Sequence, residues 1–253
     1  MSLFDLTGRT ALITGSSKGI GFGLARGLAQ AGARIVLNGR EVARLEQAAT
    51  ALRSEGFSIE TAPFDACEAQ EVKQAIEDVE SRVGPIDILI NNAGMQHRAP
   101  LEDFPAEKWS ELMRTNIDTA FFVGQAVARR MIPRGRGKII NIASVQSELA
   151  RPGIAPYTAT KGAIKQLTKG MCTDWAKHGL QVNAIAPGYF KTELNQALVE
   201  NAEFSAWLEK RTPAGRWGDV EELVGAAVFL ASDASSFVNG HILYVDGGIT
   251  ACL

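Results

Sequence analysis

The chain has 253 residues, 46% hydrophobic and 21% charged, which supports a sizeable core, excludes disorder as the main state, and fits one large α/β domain or two small ones. Lysine and arginine number 26 against 28 acidic residues, so the basic excess that marks a nucleic-acid surface is missing. The longest apolar stretches, such as 224–231, fall far short of the roughly 18 to 20 residues a membrane span needs. The opening MSLFDLTGRTAL has neither the basic start nor the apolar block of a signal peptide. A cytoplasmic chain without a membrane or nucleic-acid partner is expected.

In chain order, a first strand is predicted over 9–14, followed by a glycine-rich turn and a helix to about Ala31. A second strand at 34–38 leads into an amphipathic stretch with Val42, Leu45, Ala49 and Leu52 on one face. Further strands are predicted at 57–64, 86–91, 137–143, 180–186 and 241–245. Two long helices are expected near 106–131 and 156–178, with Pro105 and Pro156 at their starts and Gly179 at the end of the second. Near-continuous apolar strands alternating with helices indicate an α/β fold, a doubly wound parallel sheet of about seven strands with helices on both faces. No linker or repeat divides residues 1–253, so a single domain is expected. The least regular part, 188–218, reads as a cover over a site.

The 25 glycines are about 10% of the chain against a usual ~7%, so their positions matter. Residues 14–21 read TGSSKGIG between a strand and a helix. Gly15, Ser17, Lys18, Gly19, Ile20 and Gly21 there can bring the backbone and a helix N-terminus up to a pyrophosphate. The same residues also match the G-x-S-x-G of a hydrolase nucleophile elbow. That elbow follows a mid-sheet strand, whereas only 13 residues precede Thr14, and Lys18 suits a phosphate better. The second strand ends in Asn38-Gly39-Arg40-Glu41. An acidic residue at the tip would accept a ribose 2′-hydroxyl. Here Lys18 and Arg40 can pair with a 2′-phosphate, which favours NADP(H), while Glu41 keeps NAD(H) open.

Tyr157 and Lys161 lie four apart in a predicted helix and so share a face. A neighbouring ammonium stabilises a phenolate, making proton exchange with an alcohol or carbonyl oxygen feasible. Ser144, at the C-terminal end of the fifth strand where open α/β sheets bind ligands, can hydrogen-bond the reacting oxygen; Ser147 is its neighbour and rival. Cys67, Cys172 and Cys252 are far apart and read as free thiols. His97, His178 and His241 lack metal-ligand spacing, so no metal is expected.

With these residues in place, the chain resembles the short-chain dehydrogenase/reductase family along its whole length. TGSSKGIG at 14–21, Asp65, Asn91-Asn92-Ala93-Gly94, Asn116, Ser144, Tyr157, Lys161 and Pro187-Gly188 occur in the family's order and spacing. The resemblance implies a Rossmann-type sheet and a set of roles. Tyr157 is the general acid/base, Ser144 orients the substrate oxygen, and Lys161 binds the nicotinamide ribose and lowers the tyrosine pKa. Asn116 holds a water that links Lys161 to solvent. Asp65 and Ala66 contact the adenine, Asn92, Ala93 and Gly94 line its ribose, and Pro187, Gly188 and Thr192 hold the nicotinamide. Homo-oligomers, usually tetramers, are implied as well.

Segments 91–100, 147–152, 155–161 and 212–218 resemble the members that act on sugar acids. Such a small-molecule substrate needs a cation for its carboxylate. Arg98 and Arg151 can supply it, with Gln96, His97 and Glu148 for hydroxyls. The rivals are a 3-oxoacyl-thioester or polyol reductase on the same frame and a cofactor-binding regulator without turnover.

Overall fold

The structure is a computed structural model and describes residues 3–252. Seven strands are present: β1 (Thr10–Ile13), β2 (Arg34–Gly39), β3 (Ile59–Pro63), β4 (Ile88–Asn91), β5 (Gly137–Ile142), β6 (Leu180–Pro187) and β7 (Ile242–Val245). All pair in parallel, in the order β3-β2-β1-β4-β5-β6-β7. This is the Rossmann-type arrangement expected, with the strand order reversing between β1 and β4.

Alternate residues of the central strands serve the two faces. Ile13, Ile35, Leu37, Ile88, Ile90 and Ile140 pack on one side, with Leu24 and Leu28 of α1 (Gly19–Gln30), Leu45 and Leu52 of α2 (Val42–Ser54), and Leu230. Leu12, Val36, Leu89 and Ile139 pack on the other, with Val72 and Ile76 of α3 (Ala69–Arg82). Because both faces are covered, these strands read as continuous apolar runs, the sequence signal for a buried parallel sheet. Val42 departs from the expected apolar face of α2. It is 58% exposed, since it stands at the start of the helix before that face meets the sheet.

The predicted helix over 106–131 is interrupted. It forms α4 (Ala106–Met113), a π-helical turn over Arg114–Asp118, and α5 (Thr119–Met131). Such a turn inserts a residue into the helical ladder, which a 3.6-residue pattern does not register. The second long helix, α6 (Ala155–Trp175), continues in a 3-10 turn and stops at Gly179, where φ is +79°. Residues 188–218 hold two short helices, α7 (Gln196–Val199) and α8 (Ala202–Arg211), and α9 (Val224–Ala231) follows. No helix among the described residues is long and apolar enough to cross a membrane.

Candidate active site

The C-terminal ends of β1 and β4 part at the strand-order reversal, which opens a crevice there. The glycine turn fills its floor. Gly19 takes φ +56°, and a Cβ there would enter open space, so its backbone is presented to a ligand. At Gly21 the need is the opposite, since a Cβ would overlap the Asn92 amide and the Gly15 carbonyl oxygen. Asn92 in turn donates from Nδ2 to the carbonyls of Thr14 (3.0 Å) and Gly15 (2.9 Å). Thr14 Oγ1 accepts from the Asn92 and Ala93 amides, each at 3.0 Å. The β1 and β4 loops are therefore cross-tied by neutral hydrogen bonds.

Gly15, Ser17, Lys18, Arg40, Asp65, Ala66, Asn92, Ala93 and Gly94 line one cleft of about 260 Å³. Ile20 turns its side chain onto the core instead. Arg40 is exposed and lies 3.8 Å from the Asp65 carboxylate. Lys18 pairs with Glu193 at 3.1 Å, which ties the glycine turn to the predicted cover. Asn38 has a role the sequence did not reveal. It is 2% exposed, and its amide donates to the carbonyls of Ala62 and Phe64 at 3.1 Å while its oxygen accepts from Gly15 N at 3.4 Å. It fixes the turn to β3. A dinucleotide fits this cradle, with open backbone at Gly19 for the pyrophosphate and two cations at the β2 tip.

Ser144 follows β5 and accepts from Gln146 N at 3.2 Å. Tyr157, in the first turn of α6, lines the same cleft as Ser144. Burial pushes its phenol up to about 12 and outweighs the lowering by Ser144. Lys161 Nζ lies 5.7 Å from the Tyr157 ring and donates to Ile142 O at 2.7 Å. Burial brings its ammonium down to about 8. Burial thus pushes phenol and ammonium toward their neutral forms. Asn116 sits in the π turn. Its Oδ1 accepts from Met95 N at 2.7 Å, and its Nδ2 donates to Met95 O at 3.0 Å and Thr160 Oγ1 at 3.1 Å. The inserted residue aims this amide across to α6.

A second cleft, of about 50 Å³, adjoins Tyr157 and is lined by Gln96, Arg98, Ser144, Gln146, Arg151, Gly188 and Tyr189 among others. Arg98 is lowered from the usual guanidinium value, first by desolvation and then by the Arg151 charge. No carboxylate among the described residues pairs with either arginine, and two unpaired like charges in one cleft call for an anion. Pro187 ends β6. Gly188 passes so close to Asp246 that a Cβ would crowd its backbone. Thr192 stands at the N-cap position of the 3-10 turn that carries Glu193, without a side-chain capping bond.

Glu148 corrects the expectation placed on it. It pairs with Lys165 and accepts from the Tyr244 hydroxyl at 3.0 Å, because the turn after Ser147 directs it at α6 rather than into the cleft. His97 packs edge-on against Phe104. Ser147 donates to Lys161 O at 2.8 Å, a structural contact that removes it as the rival of Ser144. Gln146 and Tyr189 were missed. Their only signals were nearness to Ser144 and to Pro187-Gly188.

Sheet order, switch-point cradle and the Ser144, Tyr157 and Lys161 cluster define an NAD(P)-dependent oxidoreductase, and the chain belongs to the short-chain dehydrogenase/reductase family. The family profile described as enoyl-(acyl carrier protein) reductase matches residues 15–250. The chain is 64% identical over 251 residues to the gluconate 5-dehydrogenase of Gluconobacter oxydans (strain 621H), covering 99% of this chain and 98% of the relative. It is 54% identical over 247 residues to the 5-keto-D-gluconate 5-reductase of Escherichia coli (strain K12), covering 98% and 97%. Among solved structures, a gluconate 5-dehydrogenase from Burkholderia cenocepacia J2315, in complex with NADP and tartrate, superposes with a TM-score of 0.97 at 63% identity, covering 99% of this chain and 98% of that one.

Proposed function

We propose that this protein interconverts D-gluconate and 5-keto-D-gluconate with NADP(H). The observation that carries the reading is the pair of unpaired arginines, Arg98 and Arg151, beside Ser144 and Tyr157 in one small cleft. A carboxylate relieves their repulsion and is recognised by paired donors. The names of the Gluconobacter and Escherichia relatives support the substrate, and the NADP and tartrate of the Burkholderia structure support cofactor and anion. Lys18 and Arg40 receive the 2′-phosphate. Asp65 and Ala66 face the adenine, Asn92 to Gly94 its ribose, and Pro187, Gly188 and Thr192 the nicotinamide. Residues 1–253 act as one catalytic domain with 188–218 as its cover.

When bound, the nicotinamide supplies or removes the hydride. Ser144 orients the reacting oxygen. Tyr157, kept protonated by burial, gives its proton as that oxygen gains charge in reduction and takes it back in oxidation. Lys161 then holds the ribose and returns positive charge to the phenol's side. Because the Asn116 amide is committed to Met95 and Thr160, the proton path from Lys161 to solvent runs past its main chain. Trp109 and Phe121, exposed on α4 and α5, support self-association into a homotetramer, and the enzyme is assigned to the cytoplasm.

The direct test is oxidation of D-gluconate with NADP⁺ and NAD⁺, with the product identified by NMR. The 5-keto acid, formed preferentially with NADP⁺, is expected. A 2-keto product, or turnover of a 3-oxoacyl thioester instead, overturns the assignment.

A further inference from the structure

Gln146 takes no part in the proton chemistry, yet its amide is left incomplete in the substrate cleft. The residue is 6% exposed. Its Nε2 donates to the Tyr189 phenolic oxygen at 3.5 Å, while its buried Oε1 has no hydrogen-bond partner. Turning the amide end for end does not help. Tyr189 O–H would then donate to Oε1, and Nε2 would be the orphan. Either way one amide end lies buried at the wall of the cleft without a partner, which proteins rarely tolerate in a buried group without cause. A hydroxyl, both donor and acceptor, satisfies whichever end is presented. A methylene satisfies neither.

Tyr189 links this amide to the anion site. Its oxygen also accepts from Arg151 Nε at 3.1 Å. Its ring stands edge-on to Trp217, with centroids 5.9 Å apart, and to Trp207 at 6.4 Å. The Arg151 guanidinium lies over the Phe204 ring at 5.4 Å. One phenol, wedged in an aromatic cluster of the 188–218 segment, thus sets the spacing between a charge and an unsatisfied amide. An acid bearing hydroxyls matches that pair, and an acyl chain does not.

We propose that Gln146 is a specificity-determining residue that hydrogen-bonds a hydroxyl of the sugar acid, and that Tyr189 is the positioning residue holding Gln146 and Arg151 in register. This rests on the sugar-acid reading above. The test compares wild type with Gln146→Leu in steady-state oxidation of D-gluconate and of its monodeoxy analogues. The variant is expected to lose about 10- to 100-fold in kcat/KM on gluconate, with the KM for NADP⁺ unchanged. On the analogue lacking the bonded hydroxyl, the two proteins should converge. An unaltered Gln146→Leu, or an equal loss on every analogue, overturns the inference. Tyr189→Phe keeps the packed ring and removes only the oxygen. It should raise the KM for gluconate several-fold at near-constant kcat, and an unchanged KM removes its positioning role. Wild type inactive on every sugar acid overturns the sugar-acid reading itself, whereas an active wild type with insensitive variants overturns this inference alone.

Discussion

The two clefts are built by different means. The floor of the dinucleotide cradle is made of backbone and neutral amides, with Thr14, Gly15, Asn38 and Asn92 holding one another, and its cations Lys18 and Arg40 are paired with Glu193 and Asp65. The substrate cleft is made of charges and amides that its neighbours do not complete, as at Arg98, Arg151 and the Gln146 oxygen. A cofactor common to many reactions can be met by geometry that satisfies itself. A particular substrate is distinguished by groups left for it to satisfy, since the wrong ligand then leaves them unpaired.

That contrast can be broken most sharply at Tyr157. Tyr157→Phe should lower kcat by about 10²- to 10⁴-fold, the usual worth of a positioned acid/base. NADPH affinity, measured by fluorescence titration, should stay within about twofold of wild type if the cradle is self-supporting. A large fall in affinity would show that the two clefts are not independent. Arg98→Leu comes next. Removing one charge of the anion site should raise the KM for gluconate by about 10- to 100-fold, the size of a charge-assisted contact, without altering the KM for NADP⁺; a rise for both would deny the division.

On the cradle side the effect is smaller, because Arg40 is exposed and its ion pair is correspondingly weak. Arg40→Ser should reduce the NADP⁺ over NAD⁺ preference by about tenfold, with Lys18 retaining part of it. An unchanged ratio of kcat/KM values would move the 2′-phosphate elsewhere.

The smallest effect lies outside both clefts. Lys138, buried at the opposite end of β5, donates to Ser235 Oγ at 3.2 Å, and burial lowers it to about 8. Between about pH 8 and the ordinary lysine value near 10.5, the unfolded chain holds a proton that the folded chain has released. This lysine therefore makes stability rise with pH across that window. Lys138→Met should be the more stable at pH 7, by on the order of 1–3 kcal/mol, with the difference fading by pH 10. Urea unfolding at both pH values checks it, and activity should be unchanged.

The contrast between clefts also explains what could be read in advance. The central strands of a parallel sheet buried on both faces must be unbroken apolar runs, which made them legible, whereas the edge strands β3 and β7 are only partly buried. The glycine turn was legible because φ +56°, as at Gly19, is the left-handed region that glycine enters at least cost. Asn38 was not, since a strand-tip asparagine looks alike whether it faces a ribose or, as here, the carbonyls of Ala62 and Phe64. The π turn at Arg114–Asp118 was hidden for another reason, as one inserted residue leaves the apolar stripe on either side intact. Glu148 shows the limit most plainly. Its nearness in sequence to Ser144 pointed to the cleft, but a 3-10 turn over Val145–Ser147 rotates it toward Lys165. Gln146 and Tyr189 meet only through tertiary contact between the β5 and β6 loops, which no local pattern encodes.

The central claim is that the substrate's negative charge is read beside Tyr157. The most direct measurement follows NADPH consumption with 5-keto-D-gluconate and with D-fructose, a six-carbon ketose that lacks the carboxylate. The value of kcat/KM should be at least about 100-fold higher for the keto acid, because the neutral sugar has no carboxylate to pair with the two arginines. Equal values for the two ketoses would contradict the claim.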